Sequence, residues 1–137
     1  MAVVVADSAL GYRKPAAGET VRLPVFLSDA TGAGVTGQVY NQAGIVVAVA
    51  KPGAAYVLWA TIVGGAFATG NWTEIGYGVY EIILSGDVAG EANLLDTVGD
   101  VKVYVKTTAA PGGGGSNLFR CVGADVLRNL GGIITIG

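Results

Sequence analysis

The sequence predicts an all-β fold, an antiparallel β-sandwich with a flexible arm at each end, and three observations carry that expectation. Apolar and polar residues alternate with period two in one segment after another, whereas the 3.6-residue period of amphipathic helices is scarce. Glycine-rich turns separate these segments at regular spacing, the pattern of short strands joined by tight connections. A length of 137 residues suits one compact domain.

Taken in order, residues 1–17 read as an N-terminal arm, with an apolar run at 2–6 and the stretch Gly11-Tyr12-Arg13-Lys14-Pro15 outside the core. No Lys or Arg precedes the run, which is too short for a secretory signal. In residues 21–27, Val21, Leu23, Val25 and Leu27 share one face and Arg22, Pro24 and Phe26 the other, a strand whose Pro24 suits a sheet edge. Residues 28–34 (SDATGAG) form a turn. Residues 38–40 and 45–50 read as a hairpin around Asn41-Gln42-Ala43-Gly44, and Lys51-Pro52-Gly53 stops the chain. Residues 56–62 are the most hydrophobic strand and belong in the middle of a sheet; 64–70 are a loop.

Strands at 72–75 and 79–84 flank the turn Gly76-Tyr77-Gly78, and Tyr80, Ile82 and Leu84 alternate toward the core. Residues 85–98 are the one candidate for a short helix, with Asp87 as its N-cap and Leu94 and Leu95 pointing inward, and Gly99 ends it. Residues 100–107 alternate strictly, Val101, Val103 and Val105 opposite Lys102, Tyr104 and Lys106. Seven or eight such strands over residues 18–110 point to an immunoglobulin-like sandwich.

Residues 111–137 read as a Gly-rich linker (PGGGGS) followed by a C-terminal arm or by the final strands of the sandwich. The tail is apolar, with Arg120, Asp125 and Arg128 as its charged residues, and needs a surface to dock on. The expected interface residues are Leu118, Phe119, Val122, Val126, Leu127, Leu130, Ile133, Ile134 and Ile136.

Groupings for chemistry are sparse. The absence of His removes the commonest general base and metal ligand. A lone Cys121 allows neither an internal disulfide nor a thiolate zinc site, and a buried, inert thiol is expected. No GxSxG or SxxK surrounds a serine. Asp96 with Asp100, and Asp87 with Glu91, have spacings common in solvated turns; Asp29, Asp87, Asp96 and Asp100 lack the DxDxDG run of a calcium loop. Residues 65–70 have phosphate-loop glycine spacing, but Asn71 and Trp72 stand where Lys and Ser or Thr belong. Asn71-Trp72-Thr73 has the form of a glycosylation acceptor, which matters only in a eukaryotic secretory pathway. Neither enzyme activity nor a cofactor or metal is expected. A sugar-stacking platform would need Trp59, Trp72, Tyr77 and Tyr80 exposed together.

Composition bounds the partners. A net charge of -2 offers no positive field for nucleic acid. The longest nearly apolar stretch, 56–68, falls short of the roughly 20 residues of a spanning helix, so no membrane is expected. Charged residues are 13% of the chain, against about 25% in ordinary domains. Such a surface is expected to be covered by protein, in a homo-oligomer and on a larger assembly.

The segments VRLPVFLSD (21–29), VTG (35–37), TEIGYGVYEI (73–82), LSGD (84–87) and TVGDVKVYV (97–105) add a resemblance. In this order they resemble the small immunoglobulin-like modules of tailed-bacteriophage virion proteins. There an E-I-G-x-G-x-Y strand precedes a turn of leucine and small polar residues, a short excursion and a Gly-led valine-rich strand. The resemblance covers about residues 20–108, and the tail after Ala110 has no counterpart in it. It implies a structural virion protein: a head decoration (cement) protein bridging capsid subunits, a head fibre, or a tail or baseplate adaptor. It further implies the major capsid protein or other virion proteins as partner, a trimer, and a place on the capsid surface after assembly in the bacterial host cytoplasm. A glycan-binding β-sandwich is the other alternative.

Overall fold

The computed structural model of the chain describes residues 11–121, and for residues 115–120 the backbone alone. These residues form seven strands, β1 (Thr20–Phe26), β2 (Val46–Ala50), β3 (Val57–Leu58), β4 (Trp72–Gly76), β5 (Val79–Ser85), β6 (Gly99–Lys106) and β7 (Gly114–Cys121). Two short helices, α1 (Trp59–Val63) and α2 (Ala89–Ala92), and 3-10 turns at Thr69–Asn71 and Asn93–Leu95 complete the set. The fold is mostly β: two antiparallel sheets, one of order β1-β5-β4 and one of order β3-β2-β6-β7.

Period-two patterning builds both inner faces. Along β1 the burial alternates residue by residue, with Val21, Leu23 and Val25 inside and Arg22, Pro24 and Phe26 outside. Pro24, which has no N–H for a ladder, sits on an edge strand as its chemistry requires. Tyr80, Ile82 and Leu84 of β5 are fully buried, and so are Val101, Val103 and Val105 of β6. With Val47 and Val49 of β2 they form one continuous core between the sheets.

Tyr80 carries the most demanding burial. Its hydroxyl donates to the Val35 carbonyl at 2.7 Å and accepts the Gln38 N–H at 3.2 Å. Its ring stacks on Trp72, centroids 4.6 Å apart, and the Trp72 indole N–H donates to the Gln38 carbonyl at 3.0 Å. These bonds explain why residues 38–40 form no strand and no hairpin with β2, contrary to expectation. Gln38 has both backbone groups engaged by side chains of the other sheet, and the Val39 N–H donates to the Gln42 side chain, so no ladder is left to build.

The apolar run 56–62 also departs from expectation. It is an edge, not a central strand: two residues pair with β2, and the chain then turns into α1. Trp59 and Val63, four apart and on one helical face, are its buried residues, and Gly64 ends the helix in the left-handed conformation (φ 76°). The segment 85–98 holds α2 and a 3-10 turn, with Leu94 and Leu95 buried as expected. Asp87 is not its N-cap, which is Val88; the Asp87 carboxylate accepts the Gly18 N–H at 3.1 Å instead.

The glycine run after Pro111 enters the sheet. β7 pairs with β6 from Gly114 opposite Val105 to Cys121 opposite Gly99, with a bulge between Val101 and Val103. Close packing rather than chain freedom explains glycine here: a Cβ on Gly114 would lie 1.7 Å from the Phe26 carbonyl oxygen, and one on Gly113 would meet the Tyr104 ring. From the segment read as an N-terminal arm, Tyr12 is buried and makes a parallel bridge to Cys121.

Tyr80→Phe removes the hydroxyl and leaves the Val35 carbonyl and the Gln38 N–H without it. The expected loss is about 1–3 kcal/mol of stability, read as a lower urea midpoint at unchanged m-value.

Candidate interaction surface

Several titratable side chains are engaged in holding loops. Arg13 donates two bonds of 2.9 Å to the Glu19 carboxylate, which also accepts the Ala16 N–H. The Arg13 bonds, then that backbone bond, hold the Glu19 carboxyl below its ordinary range. Lys51 donates to Asp96 at 2.6 Å and Thr97 to the same carboxylate, lowering its pKa in turn. Asp29 accepts the Thr31 hydroxyl and the Thr31 and Ala33 N–H groups, which stabilise its ionised form. Glu91 accepts the Ser85 N–H, and Arg22 pairs with Glu81 at 3.1 Å.

The two carboxylate pairs singled out by spacing are therefore differently engaged: Asp87 serves Gly18 while Glu91 serves Ser85, and Asp96 turns to Lys51. Among the described residues no three His, Cys, Asp or Glu side chains are grouped to hold a metal ion. Cys121 is buried, its thiol donates to the Leu95 carbonyl, and burial pushes its pKa up.

Four aromatic residues form a column, three of them buried and Phe67 partly so. Trp59 meets Phe67 edge-on at 5.1 Å, Phe67 meets Trp72 at 5.7 Å, and Trp72 stacks on Tyr80. Three of the four rings considered for sugar stacking are thus inside, and only Tyr77 is exposed, at 92%. The buried Trp59 indole N–H has no acceptor among the described residues.

Recognition by this chain rests on its surface. Of the expected interface residues, Leu118 and Phe119 lie on β7, Phe119 opposite Val101, while Val122, Val126, Leu127, Leu130, Ile133, Ile134 and Ile136 lie outside the described residues. Two apolar patches escaped the sequence reading. Tyr56, Val57 and Leu58 are exposed along the β3 edge, and Phe26, Ile75 and Tyr77 are exposed toward one end of the first sheet. The run 56–58 gave the wrong signal because unbroken hydrophobicity suggests a buried strand; Tyr77 between two glycines gave a correct one, since a turn tip is exposed.

Open clefts lie elsewhere among the described residues. One of about 530 Å³ is lined by Lys51, Pro52, Gly53, Ala54, Asp100 and Lys102, and one of about 410 Å³ by Tyr12, Thr20, Arg22, Pro24 and Glu81. Among the described residues no helix is long and apolar enough to cross a membrane. Comparison of the chain with protein-family models, with curated proteins and with solved structures finds no match.

Two solution properties follow. A carboxyl whose folded-state pKa is depressed adds stability that is present above its unfolded pKa and is lost as pH falls through the folded value. Glu19→Gln should therefore lower stability at neutral pH and reduce the further loss on acidification below about pH 4, read from urea midpoints across that range. Cys121 should react with a thiol reagent slowly in the native protein and promptly once unfolded; equal rates would contradict its burial.

Proposed function

We propose that the chain is a structural protein of a tailed-bacteriophage virion, and specifically a capsid decoration protein that bridges subunits on the outside of the head. The observation that carries the reading is a chain with 13% charged residues and a surface with apolar side chains exposed on more than one side. Such a surface suits lasting burial against protein. The mechanism is added interface: a subunit that touches several fixed neighbours gains by multivalency what no single contact supplies, and the lattice resists the pressure of packed DNA. No cofactor and no catalysis enter this reading, in which the carboxylates and the thiol serve loops and core.

The fold reading that goes with it is an immunoglobulin-like sandwich. Strand order supports this: β1-β5-β4 corresponds to B-E-D, and β3-β2-β6-β7 to C′-C-F-G. The segment TEIGYGVYEI forms the β4–β5 hairpin, and the Gly99-led β6 follows α2, the order of pieces that carries the resemblance. The proposed partner is the major capsid protein, with the chain as a homotrimer on the capsid surface. Localisation in a tail, baseplate or fibre would make it an adaptor module instead.

The test is to purify virions and locate the subunit by difference density. Density on the head is expected, density at the tail selects the adaptor role, and absence of the chain from virions overturns the reading. A chain ending at Cys121 keeps β7 and removes Val122, Val126, Leu127, Leu130, Ile133, Ile134 and Ile136. It should give the β-rich circular dichroism of the full chain and fail to attach to particles. Normal attachment would move the interface off the tail.

A further inference from the structure

We infer that the side of the molecule formed by residues 52–73 is the surface through which two copies of this chain pair about a two-fold axis. This pairing stands whether or not the chain belongs to a virion, and it adds a contact to any trimer.

Topology sets this side apart from the one across from it. β3 is a free edge of the second sheet and β4 a free edge of the first, and residues 59–71 cross from one edge to the other. On the far side β7 comes against β1, where a Cβ on Gly114 would run into the Phe26 carbonyl. Among the described residues no strand lies over the gap between β3 and β4, and the core shows at its margin. Val57 stands opposite Val49 in the ladder and shares its inward face, yet Val49 is 0% exposed and Val57 38%. Leu58, opposite Ala48 on the outward face, is 58% exposed, and Tyr56 beside it 48%.

Three properties of the stretch go beyond what its own fold requires. It has no charged residue from Pro52 to Thr73, although eighteen of these twenty-two residues are at least partly exposed. The elements beside it add little charge: β2 carries none, Glu91 of α2 is buried on the Ser85 N–H, and Lys102 and Lys106 sit on β6, one strand further in. Second, Tyr56, Val57 and Leu58 form a bulky ridge, after which the exposed residues are small: Ala60, Thr61, Gly64, Gly65 and Ala66. Third, Gly65 and Gly70 are glycine without a local cause. Neither has a left-handed backbone, and a Cβ built on either would meet nothing. At most other described glycines a left-handed turn or a close backbone explains the residue; here the fold would accept alanine and gain from it. Glycine at such a position leaves room for the backbone of another molecule.

The same properties name a second copy as the occupant. A two-fold contact lays a face against itself, so any charge on it brings its own sign into the interface, and this face carries none. Ridge and small tract lie on one face. Two copies facing in opposite directions therefore seat each ridge on the other's tract, and a single surface supplies both halves of the fit. The extent agrees as well. A stable interface takes about 800 Å² and about 20–30 residues from each partner, and that area is about a tenth of the 7312 Å² of this chain.

The test is sedimentation velocity on the full chain over a concentration series. Wild type should form an even-numbered species, two copies through this face alone or six where a trimer forms as well. Thr61→Glu, at an exposed position of α1, puts a carboxylate on each side of the axis and should weaken the pairing at least about tenfold with the melting temperature kept. Gly65→Ala and Gly70→Ala separate folding from association: each should keep or raise the melting temperature and still weaken pairing, which a glycine serving only the fold would not do. A wild type that stays monomeric, one that stays a trimer at every concentration, or an even-numbered species that Thr61→Glu leaves intact each overturns the inference. Should Thr61→Glu lose its fold, the two alanine variants decide, and unchanged pairing in both overturns it. A chain absent from virions that pairs through this face sinks the virion reading alone; a chain on virions whose pairing ignores these substitutions sinks this one alone.

Discussion

A phenol in the middle of an apolar core must find hydrogen-bond partners or lose the free energy of its hydration, and Tyr80 finds both of its partners on the crossing between the sheets. That requirement shapes a large part of the molecule. The crossing from β1 to β2 passes over the Tyr80 hydroxyl with Val35 and Gln38 in reach, and the Gln38 carbonyl is then placed for the Trp72 indole. Trp72 lies flat against Tyr80, Phe67 meets Trp72, and Trp59 meets Phe67. One polar atom on β5 thus organises a loop, the edge of β4 and the position of α1.

The scarce charges work in a similar way. Arg13 and Glu19 tie the segment before β1 to its first turn, and Lys51 and Asp96 tie the end of β2 to the turn before β6. Asp87 and Glu91 take backbone N–H groups of neighbouring turns. Charged side chains used as loop fasteners contribute less to a repelling, solvating surface. A protein built this way leaves large apolar side chains exposed at its surface, among them Tyr56, Leu58, Ile75 and Tyr77.

Close backbone approach accounts for several glycines more directly than flexibility does. Gly90 admits the Val63 carbonyl at a distance no Cβ would allow, and Gly34 does the same for the Tyr77 carbonyl. These contacts hold α2 against α1 and the hairpin tip against the loop after β1. The run at 112–115 reads as a spacer only when its surroundings are unknown; at Gly113 beside Tyr104 and at Gly114 beside Phe26 it is a strand entry that a side chain would block.

Strand identity and facing were legible wherever one side of a strand meets the core and the other meets water, because pleating converts burial into a period of two. Thus β1, β4, β5 and β6, the inward Tyr80, Ile82 and Leu84, and the turn at Tyr77 follow from residues alone. The inert thiol was legible too, since a lone cysteine in an apolar segment has burial as its simplest use. What tertiary structure alone decided is where backbone groups and apolar runs find partners at long range. Gln38 gives up a ladder for Tyr80 and Trp72, forty-odd and thirty-odd positions away. The run 56–62 becomes an edge strand and a helix because Trp59 is its one fully buried residue, joined by Val63 just beyond it, and nothing local marks its first residues for exposure.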